Sequence, residues 1–283
     1  MMGSIMIQGT ASSVGKSILV AGLCRILRED GYRVAPFKAQ NMSRAVILAD
    51  GTVVAPSTIF QAEAAGIPPS CQMNPILLRP TGEKCAEVYL EGRSKGFFSA
   101  REYHGMKPAL RPLVQRSYAS LAAQYDVIVV EGAGSPAEIN LRENDLVNMG
   151  LAQLVDAPVV LVGDIDRGGV FAALVGTMQL LQPWERKKVK GVIINKFRGD
   201  GSLLQSGLDM LREIIQVPVL GLVPHMVVDL PAEDSLGEGG GQGVKHTSSL
   251  HRSRQYNELA RVLRSSLDME AIYRIIGEGK EVC

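Results

Sequence analysis

The chain has 283 residues, 46% of them hydrophobic, which is enough for one large domain or two small ones with a sizeable core. Its 30 basic and 29 acidic residues leave a net charge of +1, which argues against nucleic acid or an anionic membrane as a partner. The four cysteines are far apart and no apolar run approaches the roughly 20 residues of a membrane span, so we expect a soluble, cytoplasmic protein with free thiols, whose partners are small molecules or other proteins.

The first predicted elements are a short buried strand over 5–7, a loop from Gly9 to Ser17 and a helix over 16–29. This order is typical of a phosphate-binding loop, in which backbone N–H groups and the helix N-terminus hold an anion. We expect Lys16 to reach the terminal phosphates of a nucleotide and Ser17 to ligate Mg²⁺. Five residues, rather than the usual four, separate Gly9 from Gly15, and the alternative is an ordinary glycine turn. The predicted nucleotide-binding residues of the loop are Gly9, Thr10, Ser13, Val14, Gly15, Lys16 and Ser17.

Lys38 follows a second predicted strand, over 33–37. It is expected at the same sheet edge as the phosphate loop, where open α/β sheets bind ligands, although a lysine there can also be merely solvated. The next stretch is less regular, with a turn at Asp50-Gly51 and a short helix over 58–65. Its polar residues belong either to a substrate cleft or to loop surface: Gln40, Asn41, Gln61, Glu63 and Asn74.

Glu131 ends a continuous apolar run over 126–130 that is typical of a central parallel strand. A strand over 86–90 and a helix over 101–124 precede this run, and we expect Pro108 and Pro112 to interrupt the first half of that helix. A carboxylate at the tip of a buried strand, beside a phosphate loop, can hold Mg²⁺ directly or through water. The alternative is that Glu131 caps the following segment.

The remaining pattern alternates strands over 158–162, 189–194 and 217–223 with helices over 171–181 and 203–215. Such alternation predicts an α/β fold with a doubly wound, mostly parallel sheet and helices on both faces. We expect a main domain over 1–236, a glycine-rich linker over 237–250 and a helical tail over 251–283, because helical spacing continues from 254 to 276 as one amphipathic helix or two.

Several runs resemble the synthetase half of the cobyric acid synthase family. They are 38–43, 61–64, 74–78, 131–141 and 164–171, together with the phosphate loop. The loop and the Glu131-Gly132-Ala133 strand end would fit any relative of dethiobiotin synthetase, whereas Glu-Ile-Asn-Leu at 138–141 and Asp-Ile-Asp-Arg-Gly-Gly at 164–169 are more specific.

This resemblance implies a ligase that uses ATP and Mg²⁺ to amidate peripheral carboxylates of a corrin, adenosylcobyrinic acid a,c-diamide, through an acyl phosphate in cobalamin biosynthesis. It implies catalytic roles for Lys16, Lys38 and Glu131, with Ser17 and Glu131 as metal ligands. Lys38 would neutralise the substrate carboxylate or the acyl phosphate, and Asn195 would hydrogen-bond the nucleotide base.

The chain departs from the family pattern in the glutaminase that normally supplies nitrogen. None of the four histidines has a glutamate two residues later, and no cysteine has the glycine flanks of a nucleophile elbow. The tail resembles the extreme C-terminus of the family, so we expect the glutaminase to be missing between Leu236 and Leu250. Nitrogen would then come from free ammonia or a separate glutaminase. The family pattern also changes at 44–46 and 55–58.

Three other functions stay open. The first is another carboxylate- or amine-activating enzyme of the dethiobiotin synthetase type, and the second is a degenerate nucleotide-binding module. The third, a nucleotide-switched partition or division-site ATPase, is disfavoured because Thr10 and Ala11 stand where those proteins carry a second lysine. The sequence also leaves open whether two chains pair as a homodimer.

Overall fold

A computed structural model describes residues 3–82, 85–227 and 249–278. Its strands are β1 (Gly3–Gly9), β2 (Val34–Phe37), β3 (Gln40–Met42), β4 (Val46–Ile47), β5 (Val53–Val54), β6 (Ile76–Pro80), β7 (Cys85–Leu90), β8 (Arg93–Ser99), β9 (Val127–Glu131), β10 (Val159–Asp164), β11 (Val189–Phe197) and β12 (Val219–Pro224). Its helices are α1 (Lys16–Glu29), α2 (Pro56–Ala65), α3 (Ala100–Ala122), α4 (Met149–Leu154), α5 (Val170–Leu180), α6 (Pro183–Lys188), α7 (Gln205–Ile215), α8 (Ser249–Ser266) and α9 (Met269–Glu278). Most of the predicted linker, residues 237–248, lies outside the described residues.

The central sheet has six parallel strands in the order β12-β11-β10-β1-β9-β2, which confirms the predicted mostly parallel sheet. Strand β1 lies between β9 and β10. After β1 the chain forms β2 at one edge of the sheet and then β9, and it later adds β10, β11 and β12 toward the other edge. In open α/β sheets, such a reversal of direction leaves a crevice at the carboxyl edge, and this is where these sheets bind ligands.

Helices cover both faces of this sheet, as the doubly wound prediction requires. Alternate side chains of β1 point to opposite faces, with Met6 in one core and Ile5 and Ile7 in the other. Helices α3, α4, α5 and α7 pack on the Met6 face, and α1, α8 and α9 pack on the opposite face. The strands are therefore apolar on both sides, which explains their continuous hydrophobic runs.

The C-terminal tail forms two helices that pack against α1 and the sheet. Gly22 of α1 allows the close approach of α8, because a Cβ there would lie 2.2 Å from Cδ1 of Leu263. The helices separate at Asp268, whose carboxylate accepts a hydrogen bond from the Ala271 N–H at 2.9 Å, the geometry of an N-terminal cap. The Asp268 N–H in turn donates to the Leu220 carbonyl of β12 at 2.7 Å. No helix in the described part of the chain is both long enough and apolar enough to span a membrane.

The prediction that prolines interrupt α3 is wrong. The helix runs continuously through Pro108 and Pro112, both of which are exposed. Water can therefore hydrate the carbonyl groups that these prolines leave without an N–H donor. A capping box, in which Ser99 and Glu102 exchange hydrogen bonds with each other's backbone N–H groups, fixes the start of the helix.

A second sheet, in the order β3-β6-β7-β8, extends the fold beyond the carboxyl edge of β2. Strands β3 and β6 are parallel, and the other two pairs are antiparallel. Only β7 was predicted among its strands. Strand β3 places Gln40 and Asn41 immediately after Lys38, so this sheet adds polar side chains to the crevice.

Candidate active site

The phosphate loop joins β1 to α1 through two residues in the left-handed region, Ser13 (φ 58°) and Gly15 (φ 99°). A Cβ on Gly15 would lie 2.2 Å from Nδ2 of Asn195, so glycine meets both the backbone angle and the close approach. The first turn of α1 carries no acidic side chain, which leaves the positive end of the helix open to an anion. The Thr10 N–H donates to the Val162 carbonyl at 2.9 Å, so this predicted phosphate donor is engaged within the sheet.

Lys16 is 2% exposed and joins two loops. Its Nζ donates to the carbonyl oxygens of Ala11, at 3.2 Å, and of Gly134, at 3.3 Å. The ammonium is therefore held where the phosphate loop meets the loop that follows β9. A P-loop lysine contacts the terminal phosphates of a nucleotide, and this role of Lys16 stays a prediction.

Glu131, at the end of β9, contacts two predicted site residues, Ser17 and Lys38, and one of the polar residues left open between cleft and surface, Gln61. Its Oε1 accepts hydrogen bonds from Ser17 Oγ at 2.8 Å and from Lys38 Nζ at 2.7 Å. Gln61 Nε2 donates to the other oxygen and also to the Ser17 carbonyl, at 3.3 Å. The side chains of Glu131 and Lys38 are 0% and 4% exposed. The two residues meet because β2 and β9 are parallel neighbours that end at the same edge.

Ser17 and Glu131 provide the donors that Mg²⁺ selects. A hydroxyl and a carboxylate are hard oxygen ligands, and Mg²⁺ in nucleotide sites is typically held by one or two protein ligands together with phosphates and water. Cys24, close enough to Glu131 to feel its charge, is no competitor for metal, because burial raises the pKa of its thiol far above the usual range.

Asn195 and Lys196 hold the phosphate loop from the β11 side. Asn195 Nδ2 donates to the Val14 carbonyl at 2.8 Å. Lys196 Nζ donates to the Ser13 carbonyl at 2.6 Å and to Asp164 Oδ2 at 2.7 Å. In this structure the Asn195 amide supports the loop, and its contact with a nucleotide base stays a prediction. Lys196 was not among the predicted site residues, although it directly follows the predicted strand over 189–194 and Asn195.

A cavity of about 330 Å³ opens beside Lys16 and Lys38. Its wall includes Gln40 and Asn41 of the second sheet, the loop over 133–148, and side chains from α3 and α6. Two of the polar residues predicted for a substrate cleft thus line it.

The three other polar residues predicted for the cleft have different partners. Gln61 binds Glu131, and Glu63 pairs with Arg252 at 3.0 Å in the tail. Asn74 donates to the Lys38 carbonyl at 3.2 Å and the Ile76 carbonyl at 2.9 Å, which fixes the start of the second sheet.

Lys107, which the sequence analysis missed, also lines this cavity. Its signal was present in the sequence, because it shares the helical spacing of the buried residues Tyr103, Leu110 and Val114. A lysine on the apolar face of a helix is unusual, since lysine is rarely buried without a partner.

The CbiA family model, described as the CobQ/CobB/MinD/ParA nucleotide binding domain, matches residues 5–236. Curated relatives include cobyric acid synthases from Photorhabdus laumondii (58% identical over 234 residues, 82% of this chain and 46% of the relative) and Alkaliphilus metalliredigens (54% over 234 residues, 82% and 46%). That of Yersinia enterocolitica is 56% identical over 240 residues, 84% of this chain and 47% of the relative. The chain thus spans about half the length of these curated relatives.

Among solved structures, the signal recognition particle receptor FtsY of Elizabethkingia anophelis in complex with GDP matches with a TM-score of 0.47 and 14% identity, covering 90% of this chain and 63% of that one.

Proposed function

The chain belongs to the family of CobQ/CobB/MinD/ParA nucleotide binding domains, and from this premise we propose that it is an ATP-dependent amide synthetase. Its acceptor would be a corrin with free peripheral carboxylates, adenosylcobyrinic acid a,c-diamide, in cobalamin biosynthesis. The relatives named cobyric acid synthase support this acceptor. The observation that carries the proposal is that Lys38, which lines the cavity together with Lys16, contacts Glu131 beside the phosphate loop.

The chemistry requires a carboxylate to become a good electrophile. A carboxylate oxygen of the acceptor attacks the γ-phosphorus of ATP, the bond from phosphorus to the β-bridging oxygen breaks, and ADP leaves. The resulting acyl phosphate is attacked at its carbonyl carbon by ammonia. The carbon–oxygen bond breaks, inorganic phosphate leaves, and the nitrogen loses a proton to give the amide.

Lys16 and Lys38 supply the positive charge that this transfer needs. Phosphoryl transfer depends on positioning and on electrostatic stabilisation of the equatorial oxygens. Lys16, held between two loop carbonyls, would bind the transferring group. Lys38 would bring the acceptor carboxylate toward it, since two anions would otherwise repel each other. Mg²⁺, when held by Ser17 and Glu131, adds positive charge on the phosphate oxygens.

Glu131 and Gln61 act as orienting groups in this scheme. Gln61 binds both Glu131 and the Ser17 carbonyl, so one amide fixes the carboxylate and the start of α1 together. Burial keeps competing water away from the ion pair of Lys38 and Glu131, which strengthens the electrostatic interaction between them. We propose free ammonia or a separate glutaminase as the nitrogen source.

The direct test is ATP hydrolysis by the purified chain with Mg²⁺ and cobyrinic acid a,c-diamide, comparing ammonium chloride with glutamine. We expect turnover that requires both the corrinoid and ammonium and that glutamine does not support unless a glutaminase is added. The Lys16→Ala variant gives the background rate. Parent turnover that is independent of the corrinoid, or equal to this background, would refute the proposed function.

A further inference from the structure

Lys107 differs from the other charged side chains that line the cavity. Each of the others has a partner among the described residues. Lys16 binds two carbonyl groups, Lys38 binds Glu131, and Glu138 accepts the Ser135 N–H at 2.9 Å. Lys107 is 8% exposed and has no hydrogen-bond or ion-pair partner within the described part of the chain.

The other two acidic side chains of the cavity wall, Asp145 and Glu185, are already engaged. Asp145 accepts N–H groups of Val147, at 2.8 Å, and of Gly150, at 2.9 Å, so it serves the start of α4. Glu185 accepts the Gln182 N–H at 2.7 Å and lies 3.7 Å from Arg142. Neither carboxylate is within ion-pair distance of Lys107, although Asp145 is close enough to attract it.

An anionic ligand would compensate this ammonium. Lys107 is among the buried residues of α3 and lines the cavity, so its long side chain can pack its methylene groups on apolar neighbours while the ammonium faces the cavity. Burial lowers the pKa of Lys107, because the charged form is poorly solvated there. A buried lysine without a counter-charge reduces stability, and such residues are typical of binding sites.

We propose that Lys107 binds a second carboxylate of the acceptor, distinct from the one that is activated, and thereby orients the acceptor in the cavity. This inference rests on the proposed function. A corrin acceptor carries several peripheral carboxylates, so two cations on one cavity wall, Lys38 and Lys107, match its charge pattern. The nucleotide phosphates already have Lys16 and the phosphate loop, whereas Lys107 comes from α3, which packs against β8 and β9.

The test compares Lys107→Met, which keeps the stem and removes the charge, with Lys107→Arg. The exposed Lys95 of β8 provides the matched control variant, Lys95→Met. Binding of cobyrinic acid a,c-diamide is measured by equilibrium dialysis, using the visible absorbance of the corrin, and binding of a fluorescent ATP analogue is measured in parallel. The methyl ester of the same corrinoid serves as the uncharged ligand, and urea unfolding monitors stability.

We expect Lys107→Met to weaken binding of the acid about tenfold or more, as for the loss of one charge-assisted hydrogen bond. Binding of the ATP analogue and of the ester should stay unchanged, the urea midpoint should not fall, and Lys107→Arg should restore part of the affinity. Equal affinity of parent and Lys107→Met for the acid would overturn the inference while leaving the proposed function intact. Loss of nucleotide binding alone would overturn it in favour of a phosphate contact. A parent chain that binds neither corrinoid would refute the proposed function and this inference with it.

Discussion

Replacing Glu131 with glutamine removes one charge from the centre of the site at nearly constant volume. The carboxylate is fully buried and accepts hydrogen bonds from Ser17, Lys38 and Gln61. In the Glu131→Gln variant the ammonium of Lys38, itself 4% exposed, loses this carboxylate. Ser17, Lys38 and Gln61 all donate hydrogen bonds to the carboxylate. A glutamine has only one acceptor oxygen, so its NH₂ group would face at least one of these donors.

The expected cost follows from the burial of the pair. Removing one partner of a buried ion pair destabilises a protein by about 3–5 kcal/mol, because the remaining charge stays desolvated. For a chain of this size we expect a loss of roughly 2 °C in the unfolding midpoint for each kcal/mol. Glu131→Gln should therefore lower the midpoint by roughly 6–10 °C.

Urea unfolding of the full chain, in a cycle with Lys38→Met and the double variant, measures the coupling. We expect the free-energy costs of Glu131→Gln and Lys38→Met to add up to far more than the measured cost of the double variant, since only the double variant removes both charges. The Mg²⁺ concentration needed for ATP turnover should also rise in Glu131→Gln. A loss below about 1 kcal/mol, the range of an exposed pair, would refute the buried-pair reasoning. An unchanged Mg²⁺ requirement would remove Glu131 from the metal site.

Three further predictions use simpler readouts. Lys16→Ala should abolish ATP turnover while circular dichroism stays unchanged, because the lysine binds loop carbonyls rather than core residues; activity equal to the parent would remove it from phosphoryl transfer. Gly22→Val should lower the urea midpoint, because the valine side chain would collide with Leu263 of α8. A midpoint equal to that of the parent would mean that the tail does not pack on α1. Arg33 hydrogen bonds lower the pKa of Asp126 to about 2, so this carboxylate stabilises the fold above its unfolded value near 3.8 and loses that contribution as the pH falls toward 2. The stability difference between the parent and Asp126→Asn should therefore shrink from pH 5 to pH 2 in urea titrations, and a constant difference would contradict the shift.

The sequence predicted the parallel sheet and, for the same reason, that Lys38 and Glu131 both lie beside the phosphate loop; their direct contact comes from the structure. Parallel strands with continuous apolar runs bring their carboxyl ends to one edge, so residues that follow different strands come together even when they are 93 positions apart. The phosphate loop was equally predictable, because its strand, glycines and helix are all local, and helix α1 has the predicted bounds.

Other parts of the site depend on tertiary contacts that periodicity does not reveal. Strand β3 has three residues, too few for a clear alternation, so the second sheet was largely missed. Gln61 lies on a buried helix whose sequence does not say which carboxylate it faces. The tail pattern predicted an apolar face but not its partner, because any apolar surface of suitable shape, such as the one beside Gly22, would satisfy it.

The central claim is that this site activates a carboxylate by phosphorylation, and transfer of oxygen-18 tests it most directly. The corrinoid acceptor is labelled in its carboxylates and incubated with ATP, Mg²⁺ and ammonium, and the inorganic phosphate is examined by mass spectrometry. An acyl phosphate transfers one labelled oxygen to phosphate for every amide formed, so we expect labelled phosphate and amide in equal amounts. Unlabelled phosphate would contradict the account, because it would show that ATP is cleaved by water and that the Lys38 and Glu131 site does not join the acceptor to the nucleotide.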